Sequence, residues 1–403
     1  MRAENQRAGF LTGLTLLVPI SLSAMAVVLL APVMPQLLSA FRTVPGADYL
    51  VPAILTLPAL CIAVLSPVAG YIGDRFGRRP MLIAALACYG VVGVAPLILT
   101  DLTAILASRA AVGVAETFII VATTTLLGDF FDGEERDRWL AAQATVASLS
   151  ALLFFNVGGV IGQFGWRAPF WGYASALVML AAVLAFTWEP TRRREVAVGA
   201  TNAGFPVRTM AIIVPTMVGL SALFYTVPLQ AAIGLAAHHV NQPAQAGFLI
   251  SVVSLGVPLG TVIYTRLKGQ GVWRLLALEL ALFGVGFVIM GRAHDAFWFL
   301  FGCAINQLGG GLMLPTMAVW TMNALGADVR TRGIGLLQSA FALGQFLSPI
   351  IVALIGRSTG GLLSSLDWLG RISLFVALAL TLYYLLPFAD RLTAAPNHEH
   401  HSG

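Results

Sequence analysis

Apolar residues run for twenty or more positions at a time along most of this chain, and charges fall almost only in the short gaps between the runs. A membrane-spanning helix needs roughly 20 mainly apolar residues. Twelve stretches meet that length: residues 12–36, 49–72, 80–99, 102–126, 139–163, 168–188, 209–232, 244–266, 272–292, 295–322, 332–355 and 368–388. Many carry proline, including Pro19, Pro58, Pro215, Pro228, Pro315 and Pro349. Within a bundle these are tolerated, because neighbouring helices satisfy the freed backbone groups. Gly309, Gly310 and Gly311, shortly before Pro315, predict a bend in the tenth span.

The placement of charge orients the spans. With the N-terminus inside, the expected cytoplasmic segments hold 17 Arg and Lys residues and the outer loops hold five. By the positive-inside rule that excess puts both termini in the cytoplasm. The longest cytoplasmic connection divides the spans six and six. The expected organisation is an N-terminal half over 1–190, a linker over 191–208, a C-terminal half over 209–390 and a disordered tail over 391–403. Arg2 and Arg7 precede the first run, and Ala24 and Ala26 resemble a signal-peptide cleavage pattern. The run nevertheless continues to about residue 34, long enough to span, and the topology requires it.

Composition strengthens this picture. Of 403 residues 58% are hydrophobic and 10% charged, against about 25% charged in a soluble domain. The fold class is therefore all-α integral membrane, with 12 transmembrane helices in two six-helix halves. The net charge of +5 comes from loop arginines, which set topology and do not suggest nucleic acid. Cys61, Cys88 and Cys303 all lie in apolar runs, with no spacing that suggests a metal or a disulfide. No nucleotide-binding loop or Ser/His/Asp set appears, so neither an enzyme nor ATP-driven transport is expected, and no cofactor.

The densest charge is the turn between the second and third spans: Gly70, Gly73, Asp74, Arg75, Gly77, Arg78, Arg79 and Pro80. Gly73 and Gly77 permit a tight turn. Pro80 suits a first helical turn. Asp74 can meet a helix N-terminus or an arginine. These residues match G-x-x-x-D-R-x-G-R-R, and the chain is identified by them as resembling the major facilitator superfamily, over nearly its whole length. The resemblance implies alternating access of two halves. It also implies that Asp74 bridges the halves in the outward-open state, meeting the start of the eleventh span near Arg332 to Gly335. The corresponding loop of the second half, through Gly260, Tyr264, Arg266, Lys268 and Gly269, lacks the acid.

Arg109 and Glu116 stand deep in the fourth span, seven residues apart and so on one face. Burying a charge in a membrane costs roughly 2.5–3.5 kcal/mol or more, which makes function the default reading. Both are expected to point into the central cavity. Leu106, Arg109 and Gly113 are similar to a second family motif linked to proton transfer. Glu116 resembles the fourth helix of Spinster-type and related proton-coupled members. A carboxyl removed from water can exchange a proton as access alternates. Arg109 would tune it or hold an anionic substrate; the bland alternative is a structural buried pair. Glu279 and Arg274 read as a surface or interface pair, with a functional role as the alternative. The loop from Asp129 to Arg138 reads equally as a gate clamp or a solvated loop.

Asn156, Tyr225, Gln230, Asn306, Gln307, Gln338 and Gln345 are the candidate cavity-lining polar groups, each alternatively an interhelical hydrogen bond. An apolar cavity with scattered amides suits an amphipathic small molecule. The spacing Gly158-x-x-x-Gly162 in the fifth span allows close packing. The Gly-Pro step of drug-exporting family members is missing there, since Asn156 and Val157 precede Gly158. The leading expectation is a monomeric proton-coupled transporter of the cell (inner) membrane, exporting an amphipathic drug or metabolite. Uptake of an organic anion, lysolipid transport of the Spinster kind and a non-transporting membrane receptor or scaffold are the alternatives.

Overall fold

The computed structural model describes residues 9–189, 206–325 and 329–385. The expected tail and the expected linker, apart from residues 206–208, lie outside the described residues. Every element among the described residues is helical. Among the described residues twelve helices are long and apolar enough to cross a membrane. In chain order they are α1 (Phe10–Ala40), α2 (Ala47–Phe76), α3 (Arg78–Leu97), α4 (Leu102–Phe130), α5 (Gly133–Gly162) and α6 (Ala168–Phe186). The second set is α7 (Val207–Ala237), α8 (Pro243–Gln270), α9 (Val272–Gly291), α10 (Ala296–Ala324), α11 (Arg330–Thr359) and α12 (Leu362–Leu385).

All twelve expected spans are present, but several ends move. α5 begins at Gly133, six residues before its expected start, so little loop remains between Phe130 and Gly133. Glu134 and Glu135 occupy its first turn, where a helix N-terminus favours negative charge. Glu134 also pairs with Arg138 one turn on at 3.1 Å. The charges that read as a loop therefore start a helix. α12 starts at Leu362, with Asp367 in its second turn paired to Arg292 at 2.9 Å. α1 tightens into 3-10 turns at Val18–Ile20 and Ala31–Val33, each with a proline in its first two positions.

Glycine sets the closest approaches. A Cβ on Gly113 would lie 2.5 Å from the Cα of Pro58, which brings α4 onto α2. The three consecutive glycines of α10 each face a different neighbour: Gly309 meets α9 at Leu282, Gly310 meets α7 at Phe224 and Gly311 meets α8 at Val257. Their work is packing on three sides at once. Gly158 abuts the Leu29 carbonyl, and Gly162 abuts Val33, so the spacing in α5 seats it on α1.

The halves meet at the end of the bundle opposite the 77–78 turn, here the far end. A Cβ on Gly159 would lie 2.5 Å from the Pro243 carbonyl oxygen, and one on Gly247 would overlap the Phe155 carbonyl, locking α5 against α8. Asp48 at the start of α2 pairs with Arg357 at the end of α11 at 3.0 Å. The guanidinium also lies 5.0 Å from the Tyr49 ring centroid. Toward the motif end this closeness is lost. On α2, buried Val51, Ile54 and Ala59 give way to exposed Val64 and Val68. A Cβ on Gly70 of α2 or Gly335 of α11 would meet open space.

Candidate coupling site and charged gate

The 70–80 turn is built by its glycine. Gly77 ends α2 with φ +100, a conformation that other residues adopt only under strain. The turn exposes the first amides of α3, and Glu189, just past α6, takes them. The backbone N–H groups of Arg78 and Arg79 donate to its two carboxylate oxygens, each at 2.9 Å. An anion at a helix N-terminus meets both unsatisfied donors and the helix dipole. A Cβ on Gly77 would come within 3.0 Å of the same carboxylate. Arg78 reaches Asp74 one turn back at 3.0 Å and also grips Asp129 at the end of α4. Arg79 donates to the Thr187 hydroxyl and the Leu184 carbonyl, each at 3.2 Å. The motif thus fastens α2, α3, α4 and the end of α6. Arg75 is exposed and lies against the ring of Phe76.

Glu189 and Asp129 in these roles were not assigned from the sequence. Their signal is thin: each is an acid that closes an apolar run, and only the folded chain shows which helix end it faces.

Arg109 and Glu116 are both buried in α4. Arg109 is wholly enclosed, and its surroundings are aromatic. Its Nη2 donates to the Tyr173 hydroxyl at 2.8 Å, and that hydroxyl donates to the Ala26 carbonyl at 3.3 Å. The guanidinium carbon lies 4.4 Å from the Tyr173 ring centroid and 5.8 Å from that of Phe170. Tyr89 packs on Tyr173 at 5.4 Å and donates to the Leu22 carbonyl at 3.0 Å. A cation over a ring face in a desolvated place is stabilised by about 2 kcal/mol or more. Arg109 therefore belongs to the interior of the N-terminal half, held by α1 and α6, and does not open onto the cavity as expected. Its Nε and Nη1 have no hydrogen-bond partner.

Glu116 lies two turns further along α4, about 10 Å along the axis. Its Oε2 is buried with no hydrogen-bond partner. Arg109, Tyr89 and Tyr173 within the N-terminal half, Cys61 of α2 and Tyr225 of α7 all lie within reach of its charge. Tyr225 belongs to the other half, where it stacks edge-on with Phe224 at 5.0 Å and Phe341 of α11 at 5.3 Å. Glu116 thus shares the interior of the N-terminal half with Arg109, and its field also reaches Tyr225 of the other half.

Residues 16–349 match the family model described as Major Facilitator Superfamily. The chain belongs to the major facilitator superfamily. It is 25% identical over 376 residues to a tetracycline resistance protein, class G, of Vibrio anguillarum, covering 87% of this chain and 91% of that protein. Multidrug resistance protein 1 of Bacillus subtilis (strain 168) is 22% identical, covering 82% of this chain and 85% of the other. Among solved structures, a D-xylose-proton symporter superposes with a TM-score of 0.73 at 14% identity, over 92% of this chain and 97% of that one. A bacterial homologue of the lysosomal transporter Spinster, inward-facing and unoccupied, gives 0.72 at 14% identity, over 92% and 94%.

In this transporter the amides separate into groups. Gln230 on α7 and Gln345 on α11 are buried on helices that face the N-terminal half. Asn156 on α5 is half-buried and its amide donates to its own helix at Leu152, 2.8 Å away. Gln338 is exposed on the motif-end half of α11. Asn306 and Gln307 bond each other at 3.3 Å. Asn306 is wholly buried where α10 crosses Gly286 of α9, so it packs inside the C-terminal half. Glu279 also departs from expectation. It is wholly buried with both carboxylate oxygens unpartnered, not paired with Arg274. Its neighbours Tyr264 of α8 and Thr316 of α10 are uncharged. Among the described residues no cluster of His, Cys, Asp or Glu could hold a metal ion.

Proposed function

We propose that this transporter exports a small amphipathic compound in exchange for protons, with Glu116 as the proton-carrying group. The observation that carries the reading is the Glu116 carboxyl, buried in α4 with an unpartnered oxygen and with its field reaching Tyr225 of α7 in the other half. A carboxyl there can gain a proton on one side of the membrane and lose it on the other only if access alternates. When it is ionised, Arg109 in the same helix supplies a standing positive charge, and that charge is fixed in place by Tyr173. The tetracycline and multidrug resistance proteins among the relatives support export of an amphipathic molecule.

Opening and closing then divide between two places. The motif end, placed in the cytoplasm by the arginine excess, carries Asp74 and the Arg78 cluster as the inner gate. The Asp48–Arg357 pair and the α5–α8 glycine contacts form the outer closure. Both termini and the linker fall on the cytoplasmic side of the inner membrane. The aromatic enclosure of Arg109 weighs against the alternative of organic-anion uptake, because its guanidinium is wholly enclosed.

Proteoliposomes with an imposed proton gradient test the reading. Glu116→Gln should still bind substrate, seen as a thermal shift, while transport loses its response to the gradient. Gradient-driven transport persisting in that variant would sink the coupling role of Glu116.

A further inference from the structure

A cavity of about 430 Å³ lies between α7, α9, α11 and α12, away from the junction of the halves. Its wall is almost wholly apolar: Leu220, Leu223, Trp273, Leu276, Ile351 and Val376 are typical. Three of its four hydroxyls are already engaged. Thr216 and Thr226 donate to the carbonyls of Ile212 and Ala222 in their own helix, and Thr226 also pairs with Ser348 at 3.2 Å. The Ser373 hydroxyl and the Trp273 indole N–H are the remaining polar groups of this otherwise apolar wall. Pro215, Gly219, Ile372 and Val376 are exposed along it, so the cavity is a groove open at the surface of the bundle.

Helix packing explains the gap. Gly284, Gly291 and Gly370 draw α9 and α12 together, with a Cβ at Gly370 only 2.7 Å from Val288. α12 is thereby held off α7. The two halves repeat one another, so α1 and α6 are the counterparts of α7 and α12. That seam is shut: Thr12 of α1 donates to the Phe186 carbonyl of α6 at 3.2 Å, and a Cβ on Gly172 would lie 2.8 Å from Leu29. The opening is thus particular to the second half.

Charge lies at the motif ends of two of its walls. On α7, Arg208, Pro215, Gly219, Ala222 and Thr226 fall on one helical stripe. Arg208 is exposed and stands two turns from Pro215, at the motif end. Arg274, also exposed, adjoins Trp273 on the opposite wall. An apolar trough within the spanning region, with an exposed arginine near the motif end of each of two walling helices, is complementary to one lipid chemistry. We propose that this groove holds an acyl chain of an anionic phospholipid from the leaflet at the motif end, its phosphate at Arg208 and Arg274. Basic pockets between spanning helices recognise anionic headgroups in this way. The proposal stands apart from the substrate and the proton.

Trp273 supplies the reporter. The whole chain would be placed in vesicles of phosphatidylglycerol or phosphatidylcholine brominated on the acyl chains. The Trp273 signal is the difference between the native chain and Trp273→Phe. It should be quenched more strongly in phosphatidylglycerol than in phosphatidylcholine. A Cβ at Gly219 meets open space, so Gly219→Leu can fill the groove, and it should lose most of that quenching. Arg208→Gln with Arg274→Gln should keep the quenching and lose the preference between lipids. Equal quenching in the native chain and Gly219→Leu would overturn the acyl-chain site, and absence of any preference in the native chain would overturn the headgroup. Relief of quenching by a lipophilic cation such as tetraphenylphosphonium would assign the groove to substrate instead. If Gly219→Leu does not fold, Ala222→Val narrows the same wall and should weaken the quenching in the same sense.

Discussion

At the scale of single residues, the position of Arg109 carries the most information. A charge in a membrane helix usually signals function because burying it is costly. Here the cost is offset by a ring face and one charged hydrogen bond, both from Tyr173. Tyr173→Phe keeps the ring and removes the hydroxyl, leaving a further guanidinium nitrogen unpartnered. Losing one hydrogen bond to a charged group costs about 1.5–3 kcal/mol, so thermal denaturation of the purified protein should show a clear drop in melting temperature. Tyr89→Phe removes only a neutral bond to the Leu22 carbonyl and should cost about 0.5–1.5 kcal/mol. If the two variants melt alike, Arg109 does not depend on Tyr173 for its neutralisation. Arg109 was legible as important from its place in an apolar run. Its partners were not, since Tyr173 is 64 positions away and nothing local marks it.

At the scale of helices, ends and glycines do most of the organising. α3 begins on a carboxylate supplied by the chain beyond α6, so the start of one helix depends on the end of another. Glu189→Gln retains hydrogen-bond acceptance in part and removes the charge. The interaction of a charge with a helix terminus is worth typically 0.3–1 kcal/mol, so the variant should melt slightly lower, with the loss reduced at high salt. A loss that does not change with salt would mean that the hydrogen bonds alone matter. Glycine contacts act more sharply. Gly247→Ala sets a Cβ into the Phe155 carbonyl across the seam between the halves, whereas Gly70→Ala meets open space. The first should weaken the far-end closure and the second should leave it intact. Labelling of cysteines placed in the far-end loops would report the difference as increased reactivity in Gly247→Ala alone. The G-x-x-x-G spacing in α5 was visible in the chain, but that Gly159 between those two crosses to α8 could be seen only once the halves were packed.

For the whole molecule, the balance between the two ends decides what the transporter can do. The far end is held by tight backbone contacts and the Asp48–Arg357 pair. Such a pair joins the ends of helices from different halves, so breaking it shifts the population between states more than it unfolds either half. Asp48→Asn should lengthen distances between spin labels on the far-end loops, and so should Arg357→Gln. The exchange Asp48→Arg with Arg357→Asp should restore them, and failure of that rescue would show that the pair does not hold the closure. The groove between α7 and α12 belongs to this scale too, because it exists only through the way four helices lean on one another.

The sequence alone determined a good deal. Twelve spans followed from run length, because a bilayer core demands a fixed length of apolar helix. Orientation was expected from counting arginines, and the motif at 70–80 pointed to the family through its residues. Span boundaries were least secure where charged residues, such as Glu134 and Glu135, serve as helix starts and not as loop. Tertiary structure decided the rest. It enclosed Arg109 among aromatic rings and left Glu116, on the same face of the same helix, with an unpartnered buried oxygen. It buried Glu279 away from Arg274, and it gave the glycines of α10 three different neighbours. The physical reason is common to all of these. In a chain that is apolar nearly throughout, hydrophobicity places residues in the membrane but does not say which side of each helix meets protein. That choice rests on close packing and on a few polar groups finding partners far away in the chain, and neither leaves a local trace.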